Sequence, residues 1–231
     1  MKMEPNWIEK LKGLGACDEA LEWAKGYSSL KVAWAACKRG DYMFWLWGRT
    51  CGKDRKALVL VLCKCVRLVL KYVPKSESRP LTAIQTIEKW VRGEATMEEV
   101  QNAADAAYTA YVSVNTTYAA YAAFIAADAT YVAADAAAYL ACLAAHYAAY
   151  TAYADAPGTT DTAAYAAYYA SNAASTAAYM AKARKIPKVH KAYTTASAYT
   201  TADGAKAKVL KQCAEIVRKA MPEPPDLNQC A

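Results

Sequence analysis

AADAAYTAYVSVNTTYAAYAAF, residues 103–124, opens the block whose reading decides the fold. From Ala103 to Ala181 the chain has neither lysine nor arginine. It holds five aspartates (Asp105, Asp128, Asp135, Asp155 and Asp161), many alanines and most of the 18 tyrosines, while all 28 basic residues lie in the flanks. The block has too much apolar surface for a solvated linker. It also has too little side-chain bulk for a thick aliphatic core, because each alanine buries little area. It reads as slim helices packed closely through Ala and Tyr faces. Tyrosines three apart recur at Tyr108/Tyr111, Tyr118/Tyr121, Tyr147/Tyr150/Tyr153 and Tyr165/Tyr168, a spacing that keeps the rings on one side of a helix. The expected fold class is all-α, a multi-helix bundle.

Working outward, nearly every flanking segment also reads helical. Trp7 starts a short helix that Gly13 and Gly15 end. Cys17–Lys25 forms the next, stopped by Gly26. Ser28 and Ser29 can cap a third, Leu30–Lys38, which Gly40 closes, and Asp41 then caps a fourth. Asp54 caps a fifth, Arg55–Tyr72, halted before Pro74. Pro80 suits the first turn of a sixth, with Leu81, Ile84, Ile87 and Val91 at helical spacing and Gly93 as its stop. Thr96 with Glu99 is a capping box for a seventh. Unbroken from Thr96 to Pro157-Gly158, that helix would be about 90 Å long at 1.5 Å per residue. A break is therefore expected near Val112–Thr117, where β-branched residues and Asn115 lower helix propensity, and another near Asp128–Asp135. Thr162–Ala183 is a further helix, and Ala205–Met221 the closing one, with Val209, Leu210, Cys213, Ile216 and Val217 inward.

The expected organisation is one domain over residues 1–222. A Trp/Leu-rich front half (about 5–95) packs on an Ala/Tyr-rich half (about 96–183) and on the closing helix (about 205–221), with a loose tail at 223–231. Net charge divides as +6 over residues 1–102, −5 over 103–181 and +6 over 182–231, so the parts can attract one another. The eight cysteines lack zinc-site spacing, and Cys63-Lys64-Cys65 is one residue short of the redox pattern. They read as reduced, small hydrophobes in a cytoplasmic protein. The apolar run Ala57–Val73 is interrupted by Lys64, Arg67 and Lys71, so it reads as a buried helix and no membrane partner is expected.

Two stretches carry a resemblance. The first runs Ala33-Trp34 to Cys37-Lys38-Arg39-Gly40-Asp41-Tyr42-Met43-Phe44-Trp45-Leu46. The second runs Arg79-Pro80-Leu81-Thr82-Ala83-Ile84 to Trp90-Val91-Arg92-Gly93-Glu94-Ala95-Thr96. With Cys213-Ala214-Glu215-Ile216-Val217-Arg218 before Pro222, they resemble a family of immunity proteins from bacterial polymorphic toxin systems, members of which also occur in phage genomes. The resemblance covers most of residues 16–222. It implies an all-α intracellular protein that neutralises something by binding: a protein toxin, a defence effector or a small anionic immune signal.

The residues offer one polar-aromatic constellation for such a ligand: Arg39, Asp41, Trp45, Arg55, Arg67, Arg79, Glu88 and Trp90. Arginines beside tryptophans can hold a planar anion by forked hydrogen bonds and stacking. A nucleotide second messenger sequestered there is the alternative function. The competing reading is that Arg39, Arg67 and Arg79 pair with Asp41, Glu77 and Glu88 to lock helix ends. Tyr108, Tyr111, Tyr118, Tyr121, Tyr147 and Tyr150 are candidate interface residues, toward a partner or toward another copy in a homo-oligomer. Arg39-Gly40-Asp41 matches an integrin-binding tripeptide and reads instead as a helix stop and cap. His146 and His190 lack ligand spacing, so no metal site is expected. No cofactor loop or nucleophile elbow appears, which disfavours an enzyme. Asp128 and Asp135 read as caps or tyrosine partners. The basic run Lys182–Lys191 lacks interleaved aromatics, which disfavours nucleic acid.

Overall fold

The computed structural model describes residues 7–50, 55–73, 75–122, 144–145, 147–149, 151–152, 162–183 and 191–227. All regular structure among them is helical. The elements are α1 (Trp7–Gly13), α2 (Asp18–Ala24), α3 (Leu30–Ala36), α4 (Gly40–Thr50), α5 (Lys56–Arg67), a 3₁₀ turn (Leu70–Tyr72), α6 (Arg79–Arg92), α7 (Met97–Ala122), α8 (Thr162–Ala183) and α9 (Lys191–Ala220). Residues 144–145, 147–149 and 151–152 are helical as well. The all-α bundle expected from the sequence is the observed fold.

Several ends follow local chemistry. The Ser29 hydroxyl accepts from Val32 N–H at 3.3 Å, capping α3. Thr96 N–H donates to Glu99 Oε2 at 2.7 Å and Glu99 N–H to Thr96 Oγ1 at 3.1 Å, a closed capping box for α7. Gly93, at φ 79°, ends α6: its N–H reaches Trp90 O, and Glu94 N–H reaches Lys89 O, both at 2.9 Å. Only a residue without Cβ takes that left-handed conformation at no steric cost.

Four expectations are corrected. First, α7 runs unbroken for 26 residues through Val112–Thr117. Valine, threonine and asparagine each cost only tenths of a kcal/mol in a helix, and the surrounding alanines offset them. Second, the closing helix begins at Lys191, fourteen residues before Ala205, and spans 30 residues. Gly204 sits inside it with open space around its Cα, so no steric demand ends the helix there. Third, α3 stops at Ala36, since Cys37 is extended (ψ 126°) and its carbonyl accepts from the Arg218 guanidinium of α9. Gly40 opens α4 rather than closing α3, and Asp41 lies in the first turn of α4, facing Arg39 rather than capping. Fourth, α5 ends at Arg67 and only a 3₁₀ turn continues to Tyr72. The breaks expected at Asp128–Asp135 and Pro157-Gly158, and the Asp54 cap, lie outside the described residues.

The core is contiguous. Its bulk comes from the front helices, where Met43, Phe44, Leu58, Val59, Leu62, Val66, Ile84 and Ile87 are fully enclosed. Each such side chain stabilises by about 1.5–3 kcal/mol. Onto this pack faces of another kind. α8 buries Ala163, Ala166, Ala167, Ala170, Ala173 and Ala174, against α4, α5 and α9. α7 buries Val100, Ala104, Ala107 and Ala110, and packs against α6. The methyl groups contribute little area themselves, but they let backbones approach closely. α9 closes the bundle with Val209, Leu210, Cys213, Ala214 and Val217. Cys37, Cys63, Cys65 and Cys213 are buried free thiols within this core. The C-terminal segment is tied down as far as Leu227, which packs on the core, and Glu223 pairs with Lys31 at 2.9 Å.

Candidate functional site

Between α2, the start of α4 and the first turns of α8 lies a groove of about 370 Å³. Three pieces of local structure build it. After α1 the chain turns through Gly15, at φ 85°, with Ala16 N–H bonded to Leu11 O at 3.0 Å; this aims α2 and places Glu19 on one wall. The extended residue Cys37 lets the chain swing into α4, so that Arg39, Asp41, Tyr42 and Trp45 form the floor. The alanine face of α8 seats that helix on the core, leaving Tyr165 and Tyr168, three residues apart, 48% and 38% exposed on the opposite wall. Four aromatic rings thus surround one group of charges.

Arg39 is held by two carboxylates of the chain itself. Its Nε donates to Asp41 Oδ1 at 2.9 Å and its Nη2 to Asp41 Oδ2 at 2.8 Å, while Nη1 donates to Glu19 Oε1 at 3.0 Å. The guanidinium carbon lies 4.0 Å from the centroid of the Tyr42 ring. The hydrogen bonds to Asp41 hold the Arg39 guanidinium firmly protonated. Burial raises the Tyr42 phenol well above its ordinary range; Arg39 opposes that shift and Glu19 adds to it. The Tyr42 hydroxyl is enclosed, with Glu19 as its polar neighbour. Glu19 and Asp41 face Arg39 in the groove, while the Arg49 guanidinium lies 5.8 Å over the Trp45 ring and the Lys206 ammonium 4.7 Å over the Tyr168 ring. Behind the floor lies an apolar void of about 60 Å³, and Ala16, Ala20, Tyr42 and Trp45 line both spaces.

The eight residues of the expected anion pocket do not converge. Arg39, Asp41 and Trp45 share the groove. Arg67 gives a fork to Glu88 (Nε–Oε1 2.9 Å, Nη2–Oε2 2.7 Å), joining α5 to α6. Lys56 lies 5.7 Å over the Trp90 ring. Arg79 forks to Glu77 at the start of α6 and thereby holds that carboxyl below its ordinary range. Arg55 Nη1 donates to the Thr151 carbonyl at 3.4 Å. Arg39, Arg67 and Arg79 therefore each face a carboxylate, as the helix-locking reading has it.

Among the expected interface tyrosines, Tyr108 is 45% exposed on α7. Tyr147 is half-buried and stacks on Tyr169, with centroids 5.3 Å apart and planes within 10°. Tyr111, Tyr118 and Tyr121 lie on α7, but their side chains are outside the described residues, as is Tyr150. So too are His146, His190, Asp128 and Asp135. Among the described residues no three metal-ligating side chains cluster, and no helix is long and apolar enough to cross a membrane.

Glu19, Tyr42, Tyr165 and Tyr168 were not among the expected site residues. Only the Tyr165/Tyr168 spacing signals them locally. Nothing within twenty residues of Arg39 in the sequence marks Glu19 as its partner. No protein-family model, curated protein or solved structure matches this chain.

Proposed function

We propose that this chain is a non-catalytic neutraliser that acts by binding a protein, a toxin or a defence effector, in bacterial or phage conflict, with the α2–α4–α8 groove as its point of contact. The observation that carries the reading is the pair of exposed rings, Tyr165 and Tyr168, held on an alanine-packed helix opposite the Arg39–Asp41 clasp. Exposed tyrosines on a rigid support are characteristic of protein contacts, since they bury much area at little entropic cost. The sequence resemblance supplies the setting. A small anionic signal is less well served here, because the arginine fork in the groove already holds two carboxylates.

The test is protection. Cells expressing the chain are challenged with toxins encoded beside it and with a panel of defence systems. The expected result is survival against one of them, lost when Tyr165 and Tyr168 are both replaced by alanine in a variant whose helical circular dichroism is unchanged. Failure to protect against every challenge, or full protection by the double variant, overturns the reading.

A further inference from the structure

Behind the groove floor the core is incompletely filled. We propose that this void is an anchor pocket, which takes the isopropyl end of an aliphatic side chain, leucine or valine, from the partner protein; this rests on the binding reading above. Three observations converge.

The first is the chemistry of the void. Leu11, Trp23, Leu30, Trp34, Met43 and Leu46 are on its wall. Two polar groups there are committed within the chain: the Trp34 indole N–H donates to Met221 O at 3.1 Å, and the Cys37 thiol to Arg39 O at 3.4 Å. A buried water needs two to four polar partners, so this space suits carbon rather than water. The second is size. A cavity of about 150 Å³ holds the six carbons of benzene, so one of about 60 Å³ holds two or three, and an isopropyl group has three. The third is position. Ala16, Ala20, Tyr42 and Trp45 line both the void and the groove, and all four are half-buried, so the void opens at the groove floor. The charges of the groove answer one another: Glu19 and Asp41 hold Arg39, while Arg49 and Lys206 lie over Trp45 and Tyr168. Such a rim selects no charged group. With the exposed rings of Tyr165 and Tyr168 it encircles a dry pocket, the arrangement in which one buried anchor carries binding and its surroundings exclude water. Unfilled, the void forfeits packing contacts that the anchor restores.

The experiment uses the full chain, with xenon as the probe of the void and the cell-protection assay as the probe of the anchor. In the wild type, xenon is expected to shift the indole N–H resonances of Trp23 and Trp45 saturably. Ala33 of α3 is buried and lines the void but not the groove, so Ala33→Leu adds three carbons from the core side. This variant is expected to lose the xenon shift, to keep the wild-type amide fingerprint and a urea midpoint no lower than wild type, and to lose protection at least tenfold. If leucine there unfolds the chain, Ala20→Val fills the void from its mouth and is read in the same way. No saturable xenon shift in the wild type overturns the inference. So does wild-type protection by a filled variant that no longer responds to xenon, which leaves the void a site for small apolar molecules only. In both cases a wild type that protects leaves the binding reading standing. A wild type that protects against nothing sinks that reading, and this inference with it.

Discussion

Gly40 of α4 lies directly against Cys213 of α9. A Cβ placed on Gly40 would collide with the Cys213 Cβ and stand 2.9 Å from both the Ala214 nitrogen and the Leu210 carbonyl oxygen. Two of those three neighbours are backbone, so no side-chain rotation relieves the clash. Gly40→Ala is expected to force α4 and α9 apart at a cost of about 1–3 kcal/mol. Urea denaturation would show it as a lower midpoint, and an unchanged midpoint would contradict the packing.

The arginine pairs differ in what they hold. Asp41 is 6% exposed, so Arg39→Ala leaves a nearly enclosed carboxylate with its fork removed. Destabilisation of about 2–3 kcal/mol is expected, less than for a fully buried pair because Arg39 itself is a third exposed. Arg39→Lys should recover only part, having a point charge in place of a planar fork. Arg67→Ala, whose pair with Glu88 lies nearer solvent, should cost under about 1 kcal/mol. Chemical denaturation of the three variants at neutral pH checks the ranking.

Alkali should destabilise the protein. Burial pushes the Cys37 thiol up to about 11, with Asp41 adding to the shift, and burial raises Cys63 further. An unfolded thiol titrates near 8.5. The folded state therefore keeps protons that the unfolded chain releases, and the resulting stability is fully present below about pH 8.5 and is lost as pH rises through about 11. The urea midpoint under reducing conditions is expected to fall between pH 8 and pH 10.5. Cys37→Ala should flatten part of that slope.

Alkylation offers an independent check on the core. Cys17 is exposed, whereas Cys37, Cys63, Cys65 and Cys213 are enclosed. Iodoacetamide applied to the native protein at neutral pH should modify Cys17 and leave those four unmodified until denaturant is added, as read by peptide mass mapping. Early labelling of Cys65 or Cys213 would mean that α5 and α9 do not pack as described.

Much of the helix plan was legible in the sequence because its signals act over a few residues. The Ser29 cap, the Thr96/Glu99 box, Pro80 in the first turn of α6 and Gly93 at its end all depend on groups within about five positions of one another. The errors arose where local signals were weak or divided. Val112–Thr117 lowers helix propensity only slightly, and Gly204 is tolerated inside α9. At Arg39-Gly40-Asp41, the same carboxylate could cap a helix or hold a guanidinium. Spacing alone does not choose, and the geometry at the start of α4 selects the guanidinium.

By itself, the sequence determined an all-helical chain with a bulky front and closely packed alanine faces behind it, since apolar period, capping and turn residues are written within each segment. Tertiary structure alone decided the groove. Glu19 of α2, Arg39 just ahead of α4 and Tyr165 of α8 come from three separate segments of the chain, and each has an ordinary local role. They meet because burying the Ala163–Ala174 face of α8 against α4 leaves Tyr165 and Tyr168 on the side where Arg39 is already clasped.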